Sequence, residues 1–391
     1  MFAHATGRWA KKIRGKLHYF GPWRDPDAAL QRYLDQRDDL HAGRTPRVQG
    51  DGLTVKDLVN RFLTTKRHLA DAGEITERTF SDYHATCALV TTQFGLSRLV
   101  SDLASDDFEQ LRASFSDKNG PVTIGNLVNR VRVLFKYGYD AGLIAQPMRY
   151  GPSFKRPSKK TLRKARHDKG PRMFDTADLR KALQAAPPQM NAMMLLGINC
   201  GYGNTDVAML PITAIDFKTG WAVYPRPKTG IPRRCPLWPE TIAAIKAAMI
   251  KRPEPKETKH AALMFITKYG GAWAKDTRDN PVSVECTRLL KEVGIHRKGL
   301  SFYALRHTFE TVGGESRDQI AVDAVMGHVA ADSDMSAVYR ERISDERLIA
   351  VTDHVRRWLF AKPVNSKRSS TAKKAARPGG NAPAVAMRKA R

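Results

Sequence analysis

Two stretches near the C-terminal end of the chain are the most informative about its fold. Ser301–Thr311 reads SFYALRHTFET, and Met326–Ile343 reads MGHVAADSDMSAVYRERI. The first sets Arg306 at the start of a predicted helix, where its planar guanidinium can grip a phosphate from two sides. The second places His328 after a glycine and Tyr339 eleven residues further on. Taken singly, such a histidine is usually packed or capping and such a tyrosine is usually amphipathic, so their meaning depends on the whole set.

Upstream of both lies the segment Arg226–Leu237, RPKTGIPRRCPL. Apolar residues alternate through Trp221–Tyr224 and Arg233–Leu237 on either side of a Lys-Thr-Gly turn, which predicts a β-hairpin. Lys228 falls near the tip of this hairpin, free to enter a groove and to donate a proton. A solvated lysine in a turn is the commoner fate of such a residue.

The composition of the 391 residues points to a polyanionic partner. Lys and Arg total 66 against 39 Asp and Glu, a formal net charge of +27, while 42% of residues are hydrophobic. A chain this apolar can fold, so it is not simply a disordered polycation, and nucleic acid is the first candidate partner. Its 4 cysteines form no C-x-x-C pair, which argues against a zinc site or a disulfide framework. We expect no signal peptide and no membrane span.

Together the quoted segments resemble the tyrosine recombinases, the phage-integrase family. In that family a strand-turn lysine is followed by H-x-x-R and H-T at a helix start, then by G-H, and shortly afterwards by a nucleophilic tyrosine. The same order is met here by Lys228, Arg306, His328 and Tyr339, with His307 in the H-T pair. Each piece is modest alone, and the ordered combination is specific.

The resemblance implies DNA cleavage and rejoining without metal or nucleotide cofactors. Tyr339 would attack a backbone phosphate, Arg306 would stabilise its charge, and Lys228 would be the general acid. His328 would hydrogen-bond the phosphate, and His307 would support the site from behind. The expected partners are double-stranded DNA and further copies of the chain, as a tetramer on two duplexes, in a cytoplasmic, nucleoid-associated location.

Two positions depart from the family pattern. The family's first arginine stands in T-G-x-R-x-x-E, and here Gly203 occupies the arginine position; the histidine of H-x-x-R is Tyr303. Losing one preorganised cation typically costs about 10²–10³ in rate. Arg226, Arg233 and Arg234 on the hairpin are candidate substitutes, and the Tyr303 hydroxyl can partly replace the histidine.

Three functions therefore stay open. The first is a working site-specific recombinase, and the second is a catalytically impaired DNA-binding protein on the recombinase fold with an architectural or regulatory role. The third is a generic basic nucleic-acid-binding protein.

The predicted fold class is mainly α with small β elements. It comprises a small β-rich N-terminal arm module, then a helical core-binding domain, and then a mixed α/β tyrosine-recombinase catalytic domain. The predicted divisions are an N-terminal basic arm-type DNA-binding module at 1–50 and a helical core-binding domain at 51–150. They continue with a basic linker at 151–172, a catalytic domain at 173–362 and a disordered basic tail at 363–391.

Cations suited to phosphate contact recur outside the predicted active site. A helix over Val122–Asp140 and the linker supply candidate DNA-binding side chains: Arg130, Arg132, Lys136, Lys155, Arg156, Lys159 and Lys160. For the helix, a solvated charged face is the ordinary alternative. The apolar stripe of the last predicted helix, Ser344–Phe360, either packs on its own domain or docks on a neighbouring subunit.

Overall fold

The computed structural model describes residues 1–43, 52–117, 119–275, 280–328, 335 and 339–361. The predicted basic tail at 363–391 lies outside these residues, and so does the predicted boundary near residue 50. Among the described residues, no helix combines the length and apolarity that crossing a membrane requires. The described helices and two small sheets confirm the predicted fold class.

The N-terminal unit is a three-stranded antiparallel sheet with one helix on it. Its elements are β1 Phe2–His4, β2 Arg8–Ile13, β3 Lys16–Pro22 and α1 Pro26–His41. Arg14 and Gly15 turn the β2–β3 hairpin with φ of 49° and 81°, and the backbone twist of such a turn matches that of the strands it joins. Asp25 begins α1 by accepting a 3.0 Å hydrogen bond from the Ala28 amide.

The helical unit follows with its own core. Its elements are α2 Val55–Asp71, α3 Glu77–Phe94, α4 Ser105–Ser116 and α5 Pro121–Asp140. The Thr54 hydroxyl accepts a 3.1 Å hydrogen bond from the Asp57 amide and so caps α2, as its position in the sequence predicts. Edge-to-face rings of Phe94, Phe108 and Phe135 fill the centre of this unit.

The basic segment at 151–172, which follows the helical unit, contains a helix that the sequence analysis did not predict. This is α6, Lys159–His167, and none of its residues is buried. Ser158 caps it by accepting a 3.0 Å bond from the Thr161 amide, and its last turn carries cations that the helix C-terminus favours. A segment that buries none of its residues therefore still forms a helix, because local side chains interact with the free backbone groups at its two ends.

The C-terminal unit has the largest core. Its helices are α7 Thr176–Ala185, α8 Pro188–Asn199, α9 Asn204–Ala208, α10 Pro239–Ile250, α11 Pro281–Glu292, α12 Ala304–Gly314, α13 Gln319–Met326 and α14 Asp345–Phe360. Its antiparallel sheet is β4 Ile215–Asp216, β5 Trp221–Val223 and β6 Arg234–Pro236. Helix α8 is buried almost throughout and packs against α10 and α12, so it is the centre of this unit.

The last helix packs on its own unit, which decides between the two alternatives for its apolar stripe. Leu348, Val351, Val355 and Leu359 of α14 are buried in the C-terminal core. Its backbone is fixed as well, since the Trp238 indole N–H donates a 3.0 Å bond to the carbonyl of Thr352. The buried stripe of α14 is thus occupied within the chain itself.

Candidate active site

The start of α12 holds Arg306 in the interior of the C-terminal unit. Only 3% of this residue is exposed. Its Nη1 donates a 2.6 Å bond to the carbonyl of Gly201, and its Nη2 donates a 2.9 Å bond to the carbonyl of Met326. These two anchors lie far apart in sequence, so the tertiary fold fixes the guanidinium in one orientation.

The charge of Arg306 has no carboxylate partner among the described residues. Burial lowers the pKa of Arg306, because it disfavours the charged form, and the neighbouring cations Arg226 and Arg233 lower it further, whereas the nearby carboxylate of Asp206 acts in the opposite direction. An arginine nevertheless stays protonated in proteins. The site therefore presents a buried, oriented positive charge that an anion would stabilise.

The β5–β6 hairpin brings a second guanidinium to the same place. Arg226 is half-buried, and its Nη1 donates a 3.1 Å bond to the carbonyl of Gly327. Its own carbonyl accepts bonds of 3.1 Å and 2.8 Å from the amides of Thr229 and Gly230, which closes the turn. Lys228 lies within this turn, exposed and without a hydrogen bond or ion pair to any described residue.

Gly327 allows the side chains of Arg226 and Arg233 to pack closely against the end of α13. It ends α13 in the left-handed conformation, with φ of 63°. A Cβ built there would lie 3.3 Å from both Cβ of Arg226 and Cδ of Arg233. The glycine of the predicted Gly-His pair thus serves both a helix end and close packing.

His328, directly after that glycine, is held by acidic side chains. Its Nδ1 lies 3.0 Å from Oδ1 of Asp323 and 3.7 Å from Oε2 of Glu310, and 34% of its side chain is exposed. Asp323 therefore orients the ring and leaves Nε2 for another partner.

The structure separates the three arginines that the sequence treats as equivalent substitutes. Arg233 is 4% exposed; its Nη2 donates a 2.8 Å bond to Oδ1 of Asp206, and its Nη1 is buried without a partner. Arg234 is exposed and donates two bonds, of 2.7 Å and 3.2 Å, to Asp345 at the start of α14. Arg226 alone of the three has no carboxylate partner among the described residues.

Gly203 and Tyr303, the two departures from the family pattern, face each other. A Cβ on Gly203 would lie 3.5 Å from the Tyr303 ring and 3.3 Å from Oδ2 of Asp206. The Gly203 amide already donates a 2.6 Å bond to that carboxylate. Tyr303 is 45% exposed and packs edge-on against His307, whose pKa is lowered by burial and by the nearby charges of Arg172 and Arg306.

Tyr339 is 77% exposed. Most of the residues between His328 and Tyr339 lie outside the described part of the chain. The prediction that His328 and Tyr339 belong to one site therefore rests on their spacing of eleven residues in the sequence.

The predicted DNA-binding cations fall into two groups. Arg130 pairs with Asp82, Arg132 donates a 2.7 Å bond to the carbonyl of Phe154, and Lys136 pairs with Asp140, all within the helical unit. The side chains of the basic segment are exposed: Lys155, Arg156, Lys159 and Lys160. The first group has structural partners already, whereas the second is open to a ligand.

Asp206→Asn is expected to lower the free energy of unfolding by about 3 kcal/mol, because it leaves the buried charge of Arg233 unpaired. Asparagine keeps one oxygen to accept from the Gly203 amide, and its NH2 group replaces the oxygen that accepts from Arg233, so the bond to Arg233 is lost together with the charge. Urea unfolding of the full chain measures the effect. In the control, Asp345→Asn removes the carboxylate from the exposed pair with Arg234 and should cost under about 1 kcal/mol. Equal losses in both variants would contradict the assignment.

Comparison with solved structures places this arrangement in a known fold. A lambda integrase tetramer bound to a Holliday junction matches with a TM-score of 0.55 at 15% identity, over 88% of this chain and 96% of that one. The Tn1549 transposon integrase in complex with transposon right-end DNA matches with a TM-score of 0.55 at 14% identity, over 77% and 99% of the two chains. No protein-family model and no curated protein matches the sequence. The chain therefore has the fold of these integrases.

Proposed function

We propose, on the premise of this integrase fold, that the chain is a tyrosine recombinase that breaks and rejoins duplex DNA at specific sites. The observation that carries the proposal is Arg306, which is buried, oriented by two backbone carbonyls and without a carboxylate partner among the described residues. A buried charge of this kind is costly unless an anion compensates it. A backbone phosphate supplies that anion and can accept from the N–H groups of Arg306 that the two carbonyls leave free.

The cleavage step assigns one role to each residue of the ordered motif. The Tyr339 oxygen attacks phosphorus as its proton passes to solvent water, and the bond from phosphorus to the 5′ oxygen breaks. Lys228 gives a proton to that leaving oxygen, which ends as a 5′ hydroxyl. The 3′ phosphate remains on Tyr339 as a phosphotyrosyl ester, so the bond energy is kept for rejoining.

The phosphate itself would be held by the groups around Arg306. Arg306 stabilises the developing charge on the phosphate oxygens, as preorganised donors do in other phosphoryl-transfer sites. His328, whose Nδ1 faces Asp323, donates a further hydrogen bond from Nε2 when both ring nitrogens carry a proton. His307 and Tyr303 support the site from the neighbouring surface of α12.

We place the protein on double-stranded DNA in the cytoplasm as a homo-oligomer, with a tetramer on two duplexes as the recombining form. Support comes from the fold neighbours, which include a lambda integrase dimer bound to a core site and a tetramer bound to a Holliday junction. The net charge of +27 suits a partner with one negative charge about every 1.7 Å of helix axis.

Replacing the basic side chains of α6 is expected to weaken the salt dependence of duplex binding. The variant carries glutamine at four exposed cations: Lys159, Lys160, Arg163 and Lys164. The slope of log Kobs against log salt should become shallower by about 0.9 for each of them that contacts a phosphate, because fewer counterions are released. Fluorescence anisotropy of a labelled random-sequence duplex at several salt concentrations measures the slope.

A charge-matched control separates a local contact from the effect of net charge. It carries glutamine at four exposed lysines of the C-terminal unit: Lys251, Lys256, Lys268 and Lys291. A slope that changes equally in both variants would argue against α6 as a phosphate-binding element.

A second function is favoured by one observation, the absence of a side chain at Gly203. If the phosphate has one guanidinium instead of two, cleavage slows by about 10²–10³, and the chain would then act as a DNA-binding protein with an architectural or regulatory role. The exposed basic segment would serve this role equally well.

One experiment tests the enzyme against this alternative. The full chain is incubated with a random-sequence pool of nicked duplexes, and DNA that survives denaturing washes on the protein is recovered and sequenced. We expect a covalent adduct, with the nucleotide on the peptide that contains Tyr339 by mass spectrometry. Binding of the pool without any adduct would favour the architectural role and overturn the recombinase.

A further inference from the structure

We propose that Arg226 is a catalytic residue that supplies the second guanidinium to the scissile phosphate, in place of the side chain missing at Gly203. This inference rests on the proposed recombinase function. It assigns a group that the family pattern does not contain, since Arg226 lies on the β5–β6 hairpin and not in the segment before α9.

The first argument is that the two guanidiniums donate to adjacent backbone carbonyls. Arg306 donates to the carbonyl of Met326, and Arg226 donates to the next carbonyl along the chain, that of Gly327. Successive Cα atoms lie about 3.8 Å apart, so the two cations are held on neighbouring acceptors. They enter from different elements, one from α12 and the other from the hairpin.

The second argument is charge. Two guanidiniums held side by side repel each other, and each is without a carboxylate partner in the part of the chain that the structure describes. The nearby carboxylate of Asp206 is already shared between Arg233 and the Gly203 amide. A backbone phosphodiester placed against Arg226 and Arg306 would offer one non-bridging oxygen to each guanidinium, and its single negative charge would reduce their mutual repulsion.

The third argument is the backbone that permits the contact. Gly327 has a left-handed φ of 63°, which residues with a side chain rarely adopt, and a Cβ built on it would lie only 3.3 Å from Cβ of Arg226. Arg226 is also two residues before Lys228. One hairpin would therefore deliver both the second cation and the general acid.

A purely structural role for Arg226 makes a different prediction. The carbonyls at a helix C-terminus carry partial negative charge and attract cations, so Arg226 would then only stabilise the end of α13. Such a role predicts a change in stability and the same loss of rate whatever the charge on the substrate phosphate. The test below separates the two by changing that charge.

The test compares Arg226→Gln with Arg234→Gln on the duplex recovered as a covalent adduct. Glutamine removes the charge, and because its amide ends two bonds short of Nη1 it also gives up the bond to the carbonyl of Gly327. With saturating protein and one turnover, we expect adduct formation to slow by about 100- to 1,000-fold in Arg226→Gln. Arg234→Gln, which breaks an exposed ion pair on the same hairpin, should stay within a few-fold of wild type.

A second substrate carries an uncharged methylphosphonate at the scissile position. Because this group lacks the charge that Arg226 compensates, Arg226→Gln should react with it within a few-fold of the wild-type rate. A wild-type rate on the phosphate substrate, or an equal loss on both substrates, would overturn the catalytic assignment. In either case the wild-type adduct would still support the recombinase, whereas failure of the wild type to form an adduct would overturn the recombinase itself.

Discussion

Tyr339→Phe is expected to abolish the covalent protein–DNA adduct while duplex affinity and the free energy of unfolding stay at wild-type values. Phenylalanine lacks the oxygen that attacks phosphorus, so no phosphotyrosyl ester forms. The side chain is 77% exposed, and a surface substitution of this kind usually changes stability by no more than about 0.5 kcal/mol. Denaturing gels of the reaction, with anisotropy and thermal unfolding in parallel, measure all three quantities.

The C-terminal unit offers a matched control for this substitution. Tyr269 is 76% exposed and lies between α10 and α11, so Tyr269→Phe removes an equally exposed hydroxyl from the same unit. We expect wild-type adduct formation from this variant. An adduct that persists in Tyr339→Phe would assign the nucleophile to a different residue and contradict the ordered motif.

Arg306→Lys is expected to slow adduct formation by about 10²–10³ and to lower the free energy of unfolding at the same time. An ammonium group keeps the charge but cannot reproduce the planar, two-sided donation to Gly201 and Met326, at 2.6 Å and 2.9 Å. Each buried carbonyl left without a donor costs about 1–3 kcal/mol. Single-turnover rates and urea unfolding separate the catalytic part from the structural part.

Arg252→Lys is the control for the loss of guanidinium bonds in general. The Arg252 guanidinium also donates to several backbone carbonyls, those of His260, Ala261 and Leu263, within the same unit. This variant should lose stability and keep its single-turnover rate. If both lysine variants slow the reaction alike, Arg306 contributes through folding and not through contact with the phosphate.

The helix ends could be predicted from local chemistry. Asp25 and Thr54 each stand just before an apolar run, and each caps a helix by accepting an amide hydrogen bond. In α3, Glu77–Phe94, the Thr76 hydroxyl accepts from the Thr79 amide at the start, and Gly95 follows the last residue. These features depend on residues within one turn of each other, so the sequence contains all the information they need.

The sequence analysis did not predict helices α6 and α13, because neither has a clear apolar period. Helix α6 is strongly basic and buries no residue, so no apolar periodicity marks it. Helix α13 has only 8 residues, too few for a clear period, although Asp318 caps it through a 3.1 Å bond from the Ala321 amide. The cap residues Ser158 and Asp318 were the signals that would have located both.

The amino-acid sequence by itself determined the class of fold, the basic surface and the ordered set Lys228, Arg306, His328 and Tyr339. It treated Arg226, Arg233 and Arg234 as equivalent candidates for the missing cation. It did not determine which of them is buried, because that depends on Asp206, which is distant along the chain. Only the tertiary structure decided that Arg233 is paired inside, that Arg234 pairs outside, and that Arg226 meets Arg306 at the end of α13. The physical reason is that the acceptors of its hydrogen bonds determine where each guanidinium lies. In this site those acceptors come from segments that only folding brings together.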